Sequence, residues 1–144
     1  MISQTAEYAL RAVAALASNP AESLPTQRLA ELTKVPAGYL SKVLQALGRA
    51  GLVRSTRGLG GGFVLTRRPE ELSVYDVVQA VDPVQRIRTC PLGLKAHGVR
   101  LCPLHRRLDD AMKMVEDAFR QSNLAEILAE PSSSKPLCSF PKRG

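Results

Sequence analysis

Glycine occupies positions 58, 60, 61 and 62, and a β-prone run lies on each side of this stretch. Leu52-Val53-Arg54-Ser55 precedes it and Phe63-Val64-Leu65-Thr66 follows. Two short extended runs joined by a glycine-rich segment read as a hairpin, and Pro69 ends it. What surrounds this hairpin is helical. Ile2, Ala6, Ala9, Leu10, Val13 and Leu16 recur at three- and four-residue steps, which predicts a helix starting after Ser3 and ending near Asn19-Pro20. Thr26 to Thr33 reads as a short second helix with Leu29 and Leu32 inward, and Thr33-Lys34-Val35 is a tight link. A third helix is expected from about Pro36 to Ala50, burying Leu40, Val43, Leu44 and Leu47, with Gly51 closing it. Helix, short helix, tight link, helix, hairpin is the order of a winged helix-turn-helix.

Beyond the hairpin, Ser73 caps a helix through Val81, and Asp82-Pro83 stops it. Residues 84–102 show no periodicity. From Pro103, the apolar residues Leu104, Leu108, Ala111, Val115 and Ala118 step by four and three, the seam of a helix packing on another helix. A short helix is expected over Leu124 to Ala129. The expected class is mainly α: a winged helix-turn-helix with a two-stranded wing and a long C-terminal dimerisation helix. The expected division is a DNA-binding domain over 1–82, a cysteine-bearing sensor loop over 83–102, dimerisation and terminal helices over 103–130, and a disordered Pro/Ser/Lys-rich tail over 131–144.

Charge points to a polyanion. The 144 residues carry a formal +7, yet residues 1–68 hold nearly all of it. Between Val35 and Arg68 stand Lys42, Arg49, Arg54, Arg57, Arg67 and Arg68 and no acid. A single-sign field over a compact segment attracts nucleic acid. On the third helix, Gly38, Tyr39, Ser41, Lys42 and Gln45 lie off the buried stripe, where Lys and Gln can reach base edges or phosphates. In the wing, Arg57 suits a narrow minor groove, and Gly58, Gly60 and Gly61 leave backbone N–H groups open to phosphate. Arg49 and Arg54 add affinity.

No apolar run approaches the roughly 20 residues of a membrane span, and Glu7 and Arg11 interrupt the N-terminal apolar stretch, so neither a signal peptide nor a membrane partner is expected. Three cysteines in such a chain predict a reducing, cytoplasmic setting. Catalysis is not expected. Asp109-Asp110 and Glu116-Asp117 are adjacent on a helix surface and diverge, and GLGGG is not followed by the Gly-Lys-Ser/Thr of a phosphate loop. Cys102 falls just before Pro103, at a helix N-terminus that favours a thiolate, with His105 on the same side three residues on. Thiolate plus imidazole can hold iron or zinc. The same thiols allow a redox switch between Cys90 and Cys102, or plain packing. Cys138 reads as an incidental thiol.

The strings Tyr39-Leu40-Ser41-Lys42, Leu47 to Leu52, Ser55-Thr56-Arg57-Gly58 and Gly60-Gly61-Gly62-Phe63, with Glu7 to Arg11 and Asp76 to Ala80, carry a resemblance. Over roughly residues 1–130 the chain resembles the bacterial winged helix-turn-helix regulators that include IscR (iron–sulfur cluster regulator), NsrR (nitrite-sensitive repressor) and CymR. The resemblance implies a homodimeric repressor on double-stranded DNA with a near-palindromic operator. Positions Gly38, Ser41 and Lys42 would face bases and Arg57 would enter the minor groove. It also implies an iron–sulfur cluster, two-iron in some relatives, sensing redox, nitric oxide or iron–sulfur status. Cys90, Cys102 and His105 match the first cysteine, third cysteine and histidine positions of cluster-binding members. The middle cysteine position holds Ala96, with Glu7 or His97 as a further ligand. The alternative is a cofactor-free regulator controlled by thiol oxidation or a partner protein.

Overall fold

Ser3 opens the first helix, α1 (Gln4–Ser18), by accepting the Ala6 N–H on its hydroxyl at 3.1 Å. The computed structural model describes residues 2–95 and 100–134. α1 is the hub of the fold. Ala6, Ala9, Ala12, Ala14, Ala15 and Ala17 are all buried along it, together with Val13 and Leu16. Of the expected stripe, Ala6, Ala9, Val13 and Leu16 are buried, Leu10 is half-buried, and Ile2 precedes the helix and is exposed. Small side chains let helices approach on several sides, and α1 touches α2 (Thr26–Thr33), α3 (Ala37–Arg49), α4 (Val74–Val81) and α6 (Leu124–Ala129) as well as the hairpin.

α2 and α3 form the helix-turn-helix. Lys34 takes a left-handed conformation (φ 57°) between them. Leu29, Leu40, Val43, Leu44 and Leu47 enter the common core. Burying each of these side chains contributes about 1.5–3 kcal/mol. α3 closes as a Schellman motif: the Gly51 N–H donates to Gly48 O and the Leu52 N–H to Leu47 O, both at 3.0 Å, with Gly51 at φ 76°. Each strand lies one residue nearer the connecting loop than expected. Leu52 is spent on the helix end and the core, so the strands are β1 (Val53–Thr56) and β2 (Gly62–Leu65), antiparallel with Val53 opposite Leu65 and Thr56 opposite Gly62.

A 3-10 turn (Pro69–Glu71) leads to α4, which Ser73 and Asp76 open with a reciprocal capping box. The chain from 83 to 95 forms turns and extended segments. α5 (Pro103–Gln121) follows, then α6. Leu124 returns to the core of α1, and its N–H donates to Leu72 O at 2.9 Å. α5 rests on α4 through a smaller cluster that joins Phe119 to Val74 and Val78. The stripe Leu104, Leu108, Ala111, Val115 and Ala118 is exposed, with Leu104 62% and Val115 39% accessible, and Val115 borders a cavity that Val78 and Phe119 also line.

Candidate nucleic-acid interface and thiol site

Gly38, Ser41, Lys42, Gln45 and Arg49 lie at helical spacing on the outer face of α3, and all are exposed. The buried stripe opposite them fixes this orientation. The Ser41 hydroxyl donates to Ala37 O at 3.1 Å and keeps its lone pairs outward. Tyr39 differs from its neighbours. Its hydroxyl is hydrogen-bonded to Thr5 Oγ1, and its ring meets Tyr8 edge-on with centroids 5.2 Å apart. Tyr39 thus ties α3 to α1. Tyr8 in turn lies under the Arg11 guanidinium, which donates to Thr33 O at 3.0 Å, at the turn between α2 and α3. These contacts set the angle at which α3 is presented. Sequence periodicity carries no sign of them, because polar and aromatic residues on the rim of a stripe are read as surface.

The wing is seated on the segment before α2. Leu24 and Phe63 exchange backbone hydrogen bonds at 3.0 and 2.8 Å. The Ser23 hydroxyl donates to Gly60 O, and the Gly62 N–H donates to Thr56 Oγ1 at 3.1 Å. Gly62 crosses so near Leu24 that a Cβ would stand 2.3–2.5 Å from backbone atoms of Leu24 and Pro25. At Gly61 a Cβ would meet Thr56 O at 2.7 Å and Gly58 O at 2.8 Å. These two glycines therefore build the wing, whereas Arg54, Arg57, Gly58 and Gly60 are exposed on it.

The six basic residues expected to form one field divide in two. Arg67 pairs with Asp76 at 3.8 Å and Arg68 with Glu71 at 3.0 Å, where the guanidinium holds the Glu71 carboxyl below its ordinary range. Lys42, Arg49, Arg54 and Arg57 make none of the ion pairs found among the described residues. They leave four cations to a polyanion on the α3 and wing face.

Cys102 is the N-cap residue of α5, and its Sγ lies 3.3 Å from His105 Nδ1. Pro103 at the first helical position and the Arg106 N–H donating to Cys102 O at 2.9 Å hold this turn. Cys90 is buried and makes no hydrogen bond to the pair. Glu7 accepts from Arg11 Nε at 2.9 Å. Ala96, His97 and Cys138 lie outside the described residues, as does most of the tail. Among the described residues no three His, Cys, Asp or Glu side chains come together to hold a metal ion. The Cys102–His105 pair fits as part of a ligand set and not as a whole one.

Asp109 and Glu116 do not stand free on the surface of α5, contrary to the sequence reading. Asp109 accepts from Arg86 Nε and Nη2 at 2.7 and 2.9 Å and from the Ile87 N–H at 2.9 Å. Glu116 is buried, 3.8 Å from Arg86 and 3.1 Å from Arg120, whose guanidinium stacks 4.2 Å above the Tyr75 ring. The Arg86 side chain and the Ile87 N–H hold the Asp109 carboxyl down to about 2. This clamp fastens the start of the cysteine-bearing loop to the helix at its end. Arg86 had no signal in the sequence because its partners are 23 and 30 positions away.

The family model described as Rrf2, iron-dependent transcriptional regulator, matches residues 2–130. The chain belongs to the Rrf2 family. An NsrR-named regulator of Bacillus licheniformis is 27% identical over 136 residues, 92% of this chain and 95% of that one. The solved structure of CymR, the global cysteine regulator of B. subtilis, superposes with a TM-score of 0.69 at 25% identity, covering 92% and 98%. That of T. potens IscR superposes with a TM-score of 0.74 at 21% identity, covering 93% of each chain. This Rrf2 protein is a helix-turn-helix transcriptional regulator, and the family and its named relatives are regulators, not enzymes. Its winged helical fold is theirs. No helix among the described residues is long and apolar enough to cross a membrane.

Proposed function

We propose that this Rrf2 regulator is a cytoplasmic, homodimeric repressor that reads a near-palindromic operator and senses redox, nitric oxide or iron–sulfur status at Cys102 and His105. The observation that carries the sensing site is the 3.3 Å approach of Cys102 Sγ to His105 Nδ1 at the first turn of α5. The order of parts is DNA-binding over 1–82, sensor loop over 83–102, dimer helix from 103, and tail from 131. Gly38, Ser41, Lys42, Gln45 and Arg49 face the major groove, with Tyr39 at the edge of that face. Arg54, Arg57 and the amides of Gly58 and Gly60 meet the backbone and minor groove; the Gly61 amide, also expected there, is instead taken up by Gly58 O at 2.9 Å inside the wing turn.

The exposed stripe Leu104–Leu108–Ala111–Val115–Ala118 supports dimerisation, since a seam of this spacing is buried only by another helix. Cys102 caps this same helix, so chemistry at its sulfur acts on the element that sets the spacing of the two DNA-binding halves. In the first form of the sensor, Cys102, His105 and Cys90 would hold an iron–sulfur cluster or other metal, completed by Glu7 or His97. A bound cluster would supply a centre reactive toward oxidants and nitric oxide. In the second form the thiol itself is the sensor. It is supported by Cys102 standing at the N-terminus of α5, beside His105.

Anaerobic purification with an absorption spectrum and iron and sulfide analysis separates the two. Brown protein with near-stoichiometric iron and sulfide is expected from the first form. Colourless, iron-free protein that stays so after reconstitution, yet loses operator affinity on oxidation, establishes the second. Operator binding that ignores both cluster and oxidant overturns the sensing role.

A further inference from the structure

The apex of the wing presents a leucine to solvent. Leu59 is the most exposed large apolar residue among the described ones, fully accessible along its whole side chain. Its backbone is held, not loose. Gly58 and Gly60 on either side take φ of 92° and 76°, conformations that side-chain-bearing residues rarely adopt. The Gly61 N–H donates to Gly58 O at 2.9 Å, and Ser23 grips Gly60 O. Behind the apex, the glycines at 61 and 62 pack directly on neighbouring backbone. In this turn Leu59 projects away from the protein. Arg57 stands two residues earlier on the same exposed loop, Arg54 lies on the adjoining strand, and no acid occurs from Val35 to Arg68.

We propose that Leu59 is a DNA-contacting residue: it packs into the minor groove beside Arg57, against the apolar walls formed by the deoxyribose rings. The inference rests on the reading of the wing as a DNA-binding element and adds a contact of a different kind. The charge around Leu59 selects the occupant, because an acid-free basic loop approaches a polyanion before any neutral or acidic protein surface. Apolar side chains carried into a minor groove by such loops fill its floor or wedge at base steps. A leucine there neither neutralises a phosphate nor releases a counterion. Its contribution to affinity is therefore independent of salt. Arg57 behaves differently: each phosphate that its removal leaves unneutralised lowers the salt slope by about 0.9.

The experiment measures the affinity of full-length protein for its operator duplex over a range of salt concentrations, for the wild type, Leu59→Ala, Leu59→Met and Arg57→Ala. Melting curves accompany each variant, and because the Leu59 side chain is fully exposed its variants should melt with the wild type. Leu59→Ala is expected to weaken binding about tenfold with the salt slope unchanged. Leu59→Met, similar in volume and apolar, should restore most of the affinity. Unchanged affinity of Leu59→Ala beside a weakened Arg57→Ala overturns the inference and leaves the wing on DNA. Unchanged affinity in both overturns the reading of the wing as well. Unchanged binding with impaired repression in a purified transcription reaction would assign Leu59 to the polymerase, and that also overturns it.

Discussion

Gly62→Ala should unseat the wing. The added Cβ would lie 2.3 Å from Leu24 C, 2.5 Å from Leu24 O and 2.5 Å from Pro25 N. All three are backbone atoms, so no side-chain rotation relieves the overlap. Restoring ordinary contact requires β2 to move from the segment before α2 by roughly 1 Å, given contact distances of about 3.5 Å. The two hydrogen bonds between Leu24 and Phe63, now 3.0 and 2.8 Å, would stretch beyond bonding distance. Together they contribute about 2 kcal/mol net, and overpacking adds about 1 kcal/mol, so the loss is about 3 kcal/mol. That is a large share of the ~5–15 kcal/mol of a domain, and it corresponds to a fall in Tm on the order of 10 °C. Gly38 provides the control. A Cβ there meets nothing within 4 Å and sits in α3, so Gly38→Ala should raise stability by up to ~1 kcal/mol. Thermal and urea unfolding followed by circular dichroism measure both. A Gly62→Ala protein that melts with the wild type would refute the close packing of the wing on Leu24.

Arg57→Ala should weaken operator binding by about 1–3 kcal/mol in a fluorescence-anisotropy titration, with an unchanged affinity removing Arg57 from the interface. Leu108→Glu should turn dimers into monomers in sedimentation while the helical circular dichroism is kept, since Leu108 is exposed within the protomer; a dimer of wild-type strength would move the interface elsewhere. Asp109→Asn should lower the urea midpoint at pH 7. Because the folded-state carboxyl is held down from 3.8 to about 2, its contribution is present above pH ~4 and is lost as pH falls through about 2, so the gap to wild type should close there; a gap of constant size would mean that the Arg86 clamp does not depend on the charge. Cys102→Ala should change the response of DNA binding to oxidant or nitric oxide much more than it changes Tm; an unaltered response would remove Cys102 from the sensor.

The helices were legible from local signals. Ser3 and Ser73 cap α1 and α4 at the expected residues, and the stripe of Leu40, Val43, Leu44 and Leu47 is the buried face of α3. With α3 so oriented, the outward placement of Gly38, Ser41, Lys42, Gln45 and Arg49 follows from a period of 3.6 alone. Each strand lies one residue nearer the loop than expected, because β propensity registers neither that Leu52 is committed to closing α3 nor that Gly62 extends the ladder opposite Thr56. The thiol pair was legible for the same local reason as the helices: Cys102 and His105 are three apart across a helix start.

By itself the amino-acid sequence determined most of what depends on neighbours within one helical turn: the caps, the stripe of α3, the order of the winged helix-turn-helix, the acid-free basic segment and the Cys102–His105 pair. The tertiary structure alone decided which polar groups are spent inside the fold. It turned the Tyr39 hydroxyl toward Thr5 and buried Glu116 beside Arg86. It paired Arg67 with Asp76 of α4 while leaving Lys42, Arg49, Arg54 and Arg57 out of the ion pairs found among the described residues. It also decided that Gly62 is demanded by close packing against Leu24 and Pro25. The physical reason is the same in each case. Hydrogen bonds, ion pairs and steric contacts are short-ranged in space, and partners that lie beyond one helical turn or one hairpin leave no periodic trace along the chain.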